Sequence, residues 1–198
     1  MSVGVPSLRL GQKARSAANI LYNLLKYTEQ FENAVWLQGS VTTTTNQAVA
    51  PDGTTTMDKL TAAVATNIHA TSQPFTFTSG VQYTFSCHLK YTNTRYASLR
   101  VFDSAQFPHI TFDLTLGTIV DTEAGVTGTI TDVGGGIYRL TATKTAAASG
   151  VGNVSVFLQP TAANRGAAWL ANGTESVLVW GADLRVGASA GTYQKVVA

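Results

Sequence analysis

The chain has a single cysteine in 198 residues, Cys87, so no disulfide can form within it. No CxxC pair or Cys/His cluster is present to hold zinc. A secreted disulfide framework is therefore excluded, and an assembly built in a reducing compartment fits better. Charge is scarce as well. Charged residues make up 12% of the chain and the formal net charge is +2, too near neutrality to imply nucleic acid as a general partner. No apolar run approaches membrane-spanning length and no signal-peptide core opens the chain, so neither a membrane nor export by that route is expected. Catalytic motifs are missing too. His69, His88 and His109 lie in separate segments without metal-ligand spacing, and there is no GxSxG elbow, P-loop or GxGxxG. A glycosidase needs two carboxylates about 5–10 Å apart; the acids here fall mostly at turn positions. An enzyme is not expected, and a glycan-acting enzyme is kept only as a remote alternative.

What fills the chain is uncharged. Hydrophobic residues account for 44% of it, and Thr, Ser, Asn, Gln and Gly supply most of the polar remainder. Threonine favours extended backbone while keeping a hydroxyl for water, as exposed strand faces require. From Asn23 onward the periodicity is two. Val81, Tyr83, Phe85, Cys87, Leu89 and Tyr91 alternate with Gln82, Thr84, Ser86, His88 and Lys90, which predicts a strand with one buried face and an exposed His88. Shorter alternations centre on Leu99 and Val101, on Ile110 and Phe112, on Tyr138 and Leu140, and on Val154, Val156 and Leu158 before Pro160. A last long strand is expected to line one face with Leu178, Trp180, Ala182 and Leu184, with Gly181 permitting a bulge. Turn formers such as Pro51-Asp52-Gly53 and Gly134-Gly135-Gly136 separate the segments. Threonine runs at 42–45 and 54–56 read as exposed edges or loops. Short strands without intervening helices indicate an all-β, two-sheet antiparallel sandwich, its core including Tyr83, Phe85, Leu89, Phe112, Leu140, Val156 and Trp180.

Residues 1–22 read differently, as a short N-terminal extension to a domain spanning 23–198. Arg9, Lys13 and Arg15 have no acid near them in sequence, the first being Glu29, and Leu8, Leu10, Ile20 and Leu21 are apolar. Burying two or three such side chains would contribute roughly 1.5–3 kcal/mol each before ordering costs. These seven residues are the expected contacts of an arm that docks on a partner.

Six segments in fixed order carry a resemblance. They are Asn23-Leu24-Leu25 with Tyr27, Glu29, Phe31 and Trp36; Ala50-Pro51-Asp52-Gly53-Thr54-Thr55-Thr56 running into Asp58-Lys59-Leu60; and Tyr83-Thr84-Phe85-Ser86 with Leu89-Lys90. Phe112-Asp113-Leu114-Thr115 with Gly117, then Gly136-Ile137-Tyr138-Arg139, and finally Trp180-Gly181-Ala182-Asp183-Leu184 with Thr192-Tyr193 complete the set. Residues 23–195 thereby resemble a recurrent jelly-roll domain of phage tail and capsid proteins related to carbohydrate-binding modules. The resemblance implies a virion structural protein: a capsid decoration or head-fibre protein held by its N-terminal arm to other virion proteins. A long fibrous stalk would be expected of a tail fibre, and only a short extension precedes the domain. The alternative is a tail-fibre or receptor-binding module for host-surface carbohydrate, for which Tyr91, Tyr96 and Trp169, with Arg95, are the candidate contacts. The family relation also raises a structural calcium at Asp52, Asp58 and Asp183, all oxygen ligands, with no other cofactor expected. Sparse charge suits close packing between copies, and a homo-oligomer, a trimer by preference, is expected.

Overall fold

The computed structural model describes residues 22–198, and no helix occurs among them. The expected arm residues Leu8, Arg9, Leu10, Lys13, Arg15, Ile20 and Leu21 lie outside the described residues. In chain order the strands are β1 (Leu37–Gly39), β2 (Val41–Ala48), β3 (Met57–Ala62), β4 (Thr66–Asn67), β5 (Ala70–Phe77), β6 (Gln82–Tyr91) and β7 (Tyr96–Phe102). Then come β8 (His109–Asp113), β9 (Thr118–Thr122), β10 (Ile130–Gly134), β11 (Ile137–Thr145), β12 (Gly150–Gln159), β13 (Trp169–Leu170) and β14 (Ser176–Val186). One sheet runs β1-β5-β12-β7-β8-β9 and the other β10-β11-β6-β14-β3-β2, with β13 and β4 forming a small separate pair. All pairings are antiparallel, and the two large sheets pack as the expected jelly-roll sandwich. The threonines at 42–45 fall on β2, an edge strand, as their exposed reading requires.

Alternation decides what the sandwich encloses. On β6 the residues Tyr83, Phe85, Cys87 and Leu89 turn inward, and β11 sets Leu140 and Ala142 beside them in a nine-residue register. Leu99, Val101, Ile110, Phe112, Val154 and Val156 meet them from the first sheet. Of the seven residues expected in this core, six are there.

Trp180 is the exception, and the cause is local. The β6–β14 register shifts between Trp180 and Asp183, and Gly181 sits at φ 62°, a left-handed conformation at the bulge. The extra residue switches the face on which alternate side chains emerge. Ala182 and Leu184 point into the sandwich, whereas Leu178 and Trp180 point out of it. They build a second apolar cluster with Ala50, Met57 and Ile137, against which Tyr193 packs. His88 is drawn into the same layer. The expected exposed strand histidine is in fact 4% exposed, edge-on to Trp180 at 5.1 Å, because the chain after β14 folds back over this face.

That return is sewn by Asn23. Its Nδ2 donates to the carbonyls of Ala182 and Gln194, each at 2.9 Å, and its Oδ1 accepts from the N–H groups of Leu25 and Leu184, each at 3.1 Å. The asparagine that opens the family motif thus joins the start of the domain, its last strand and its C-terminal segment. Trp36 is buried against Phe31 in the main core, 4.6 Å between ring centroids.

One charged pair crosses the sandwich. Lys144 continues the inward face of Leu140 and Ala142 on β11, and its Nζ contacts Asp103 just past β7; both side chains are buried. Asp103 also accepts from the N–H groups of Gln106 and Ala147 at 2.8 and 2.5 Å. Burial alone would push its pKa up; the Lys144 ammonium and these N–H donors outweigh it and hold it at about 2. Removing the cation strands a buried carboxylate. Lys144→Met is therefore expected to lower unfolding free energy by about 3–5 kcal/mol in urea melts, well beyond the effect of an exposed Lys→Met control such as K26M.

Candidate functional site

The second sheet carries a threonine-lined trough on its outer face. Thr84 pairs with Thr143, their hydroxyls 2.9 Å apart, and Thr129 and Thr141 repeat the contact at 2.9 Å. Gly128 lets this segment lie against β11, since a Cβ there would stand 2.0 Å from the Thr141 carbonyl. Residues 188–191 form the opposite wall of a hollow of about 460 Å³. Arg139 lies at its floor. The guanidinium donates to the carbonyls of Gly191 and Ala190 at 2.5 and 3.3 Å and to Ser86 Oγ at 3.0 Å, while Nε is buried without a partner. The trough offers hydroxyl donors and acceptors beside one cation. Among the described residues no aromatic ring lines it, so it suits a polar chain better than a stacked sugar.

A smaller hollow, about 260 Å³, is lined by Glu29, Glu32, Asp58 and Lys195 among others. Lys195 and Tyr193 hold Glu29 at 2.6 and 3.0 Å. Asp58 accepts from the N–H groups of Phe31 and Asn46, each at 3.0 Å. Burial pushes its pKa up to about 6, against those N–H donors and with the help of the neighbouring Glu32 carboxyl. Sequence spacing concealed this carboxylate pair, because the residues are 26 positions apart and meet only when residues 23–36 cross the β2–β3 hairpin.

The expected calcium set does not assemble. Asp52 accepts from the Thr54 N–H at 2.9 Å and hydroxyl at 2.7 Å, closing its own turn. Asp183 is bound through both oxygens by Arg185 at 2.8 and 2.7 Å, beneath the returning chain. Asp58 is spent on the two N–H groups above. Among the described residues no three His, Cys, Asp or Glu side chains are grouped to hold a metal ion.

The expected glycan contacts are also dispersed in role. Tyr91 is exposed at the end of β6. Arg95 covers the Tyr96 ring at 5.2 Å while pairing with Asp113 at 2.7 Å. Trp169 packs edge-on to His69 at 4.6 Å and is partly buried against the core. No ring contact among the described residues joins Tyr91, Tyr96 and Trp169.

Two buried histidines set an acid limit. Burial, then Arg139, pushes His88 down to about 4; burial, then Arg100 and Arg165, does the same to His109. The unfolded chain, with histidines near 6.5, binds more protons between pH 6.5 and 4, so this contribution to stability is lost as pH falls through that window. Asp58 acts oppositely: raised from 3.8 to about 6, it favours folding as pH falls through the same range. Asp183, also raised by burial, adds to Asp58 with a smaller shift, and the two histidines outweigh both carboxyls. Melting temperature should fall between pH 7 and 4.5 in thermal scans, less steeply in H88Q/H109Q and more steeply in D58N.

No family model matches the sequence, and no curated protein matches it. Among solved structures the fold is similar to the enzymatically active domain of tailspike protein 4 from bacteriophage CBA120, with a TM-score of 0.50 and 14% identity. The alignment takes in 83% of this chain and 21% of that one, so this chain spans about a fifth of the tailspike chain it matches. The phage side of the motif resemblance is thereby matched at the level of fold; the tie to carbohydrate-binding modules has no counterpart in it. The same neighbour corrects the expectation that the chain is not an enzyme, since that protein is described as enzymatically active. Missing motifs excluded only chemistries that announce themselves by spacing. The Glu32–Asp58 pair illustrates how folding assembles carboxylates that spacing does not reveal. What the comparison carries is architecture: this two-sheet sandwich is a fold found in a phage tailspike.

Proposed function

We propose that the chain is a phage virion module, a capsid decoration or head-fibre protein attached through residues 1–22. The supporting observation is the two-sheet jelly roll, similar to a domain of a phage tailspike. Tyr22, where the described residues begin, is 68% exposed, and Asn23 immediately ties the following chain to β14. In this reading the segment before Tyr22 reaches a neighbouring virion protein. Basic Arg9, Lys13 and Arg15 would steer it to acids on another virion protein, and Leu8, Leu10, Ile20 and Leu21 would supply apolar burial.

The module works as a homo-oligomer in this reading, with a trimer preferred. The edge strand β9 supports it, for both Ile119 and Val120 are exposed beside unpaired backbone. Deleting residues 2–21 should leave the far-ultraviolet spectrum of a β-sandwich and abolish incorporation into particles, read by quantitative immunoblotting of purified virions. Normal copy number in the truncated protein would move the attachment site onto the sandwich. Immunogold label confined to the tail would replace the decoration reading with a tail-borne one.

A further inference from the structure

The outer face of the first sheet carries a guanidinium with no counter-ion among the described residues. Alternation along β7 turns Leu99 and Val101 inward and leaves Arg100 and Phe102 on the outside. Register places Arg100 opposite Ser155 on β12 and opposite His109 on β8, and Phe102 opposite Asn153. Arg100 lies over the buried ring of Phe157, 4.6 Å from its centroid. Its Nη2 donates to Asn153 Oδ1 at 3.2 Å and, more weakly, to Ser155 Oγ at 3.5 Å. Ser155 Oγ in turn donates to Asn153 Oδ1 at 2.8 Å, which fixes the amide. The guanidinium is thus held in place by neutral groups alone.

In this it resembles Arg139, whose guanidinium also donates only to neutral oxygens and whose Nε is likewise buried without a partner, and it differs from the ion-paired cations. Lys144 has Asp103 and Arg185 has Asp183, while the more exposed Arg95, Arg165 and Lys195 all have carboxylates. Arg100 has none within ion-pair distance among the described residues, and its Nε is buried without an acceptor. Burial pushes its pKa down to about 10 with nothing to offset it. The nearby acids are committed: Arg165 binds Asp121 through both oxygens, and Glu123 accepts from the His109 N–H at 2.7 Å and lies 3.7 Å from Arg165. A partly buried cation with unused donors is costly to maintain, and an anion from outside would remove that cost.

Aromatic surface adjoins the cation. Arg100 stands 5.9 Å from the Phe102 centroid, and Phe102 meets Phe107 edge-on at 6.3 Å. Phe107 is 62% exposed and, with Gln106, Pro108 and Glu123, lines a hollow of about 500 Å³ that neither Arg100 nor Phe102 lines. A ring with an apolar face and a carboxylate would engage both features at once, whereas a bare anion would use only the first. We propose that Arg100, Phe102 and Phe107 form a binding site for a carboxylated sugar, the guanidinium taking the carboxylate and the aromatic pair taking the ring. The site does not depend on where in a virion the module sits.

Sodium glucuronate is the probe, with glucose and acetate as comparisons, titrated into the full chain and followed by nitrogen–proton NMR of arginine Nε and backbone amides. Glucuronate should shift the Arg100 Nε signal saturably and bind about tenfold or more tightly than either comparison. Arg100→Gln should weaken it by about tenfold. Asn153→Asp places a carboxylate where a neutral oxygen now accepts from Nη2. It should keep the fold, raise the melting temperature and weaken glucuronate by about tenfold. Phe107→Ala, at an exposed position, should weaken glucuronate severalfold without altering the melt. Equal binding of acetate would overturn the sugar assignment. Absence of a saturable shift at Arg100, or undiminished binding by Asn153→Asp, would overturn the site.

Discussion

The bulge at Gly181 is the constraint on which the outer layer of this sandwich depends. An unbroken β14 would bury Leu178, Trp180, Ala182 and Leu184 on one face. One inserted residue divides them, two facing the sandwich interior and two facing away. An outward tryptophan on a central strand then needs cover, and the 49–56 turn and the chain around Tyr193 provide it. Through that cover His88 becomes buried, Asp183 and Arg185 become an enclosed pair, and the trough acquires its second wall at residues 188–191.

Scarcity of charge makes each buried ionisable group consequential. Lys144 and Asp103 hold the two sheets together at one end, with Asp103 further bound by backbone donors. Asp183 and Arg185 do the same for the C-terminal segment, with Gln194 donating its N–H to Asp183. These pairs satisfy groups that the surrounding packing has already desolvated, so their value lies mainly in what their loss would expose. Arg100 and Arg139, which donate only to neutral groups, depart from that pattern, and Asp58 beside Glu32 departs from it in the opposite sense.

Much of the fold was legible because a two-residue period reports burial directly. Every strand inferred from alternation, from the long one around Phe85 to the one halted by Pro160, lies where expected. The same rule misplaced Trp180 and His88, for periodicity shows which residues share a face only while the register is continuous. Gly181 signalled a bulge, but a glycine does not say on which side the following residues will emerge. Tyr96 opens β7 and Trp169 opens β13, and Arg95 and His69 pack on their rings.

By itself the sequence determined the all-β class, the strand positions, the turn chemistry and the absence of a disulfide, because each follows from local residue preference and short-range spacing. Only the tertiary structure decided which cations have partners, which aspartates are spent on backbone donors, and that Glu32 meets Asp58. Those outcomes depend on distances between residues far apart in the chain, set by register and by the bulge in β14. Periodicity carries no information about them.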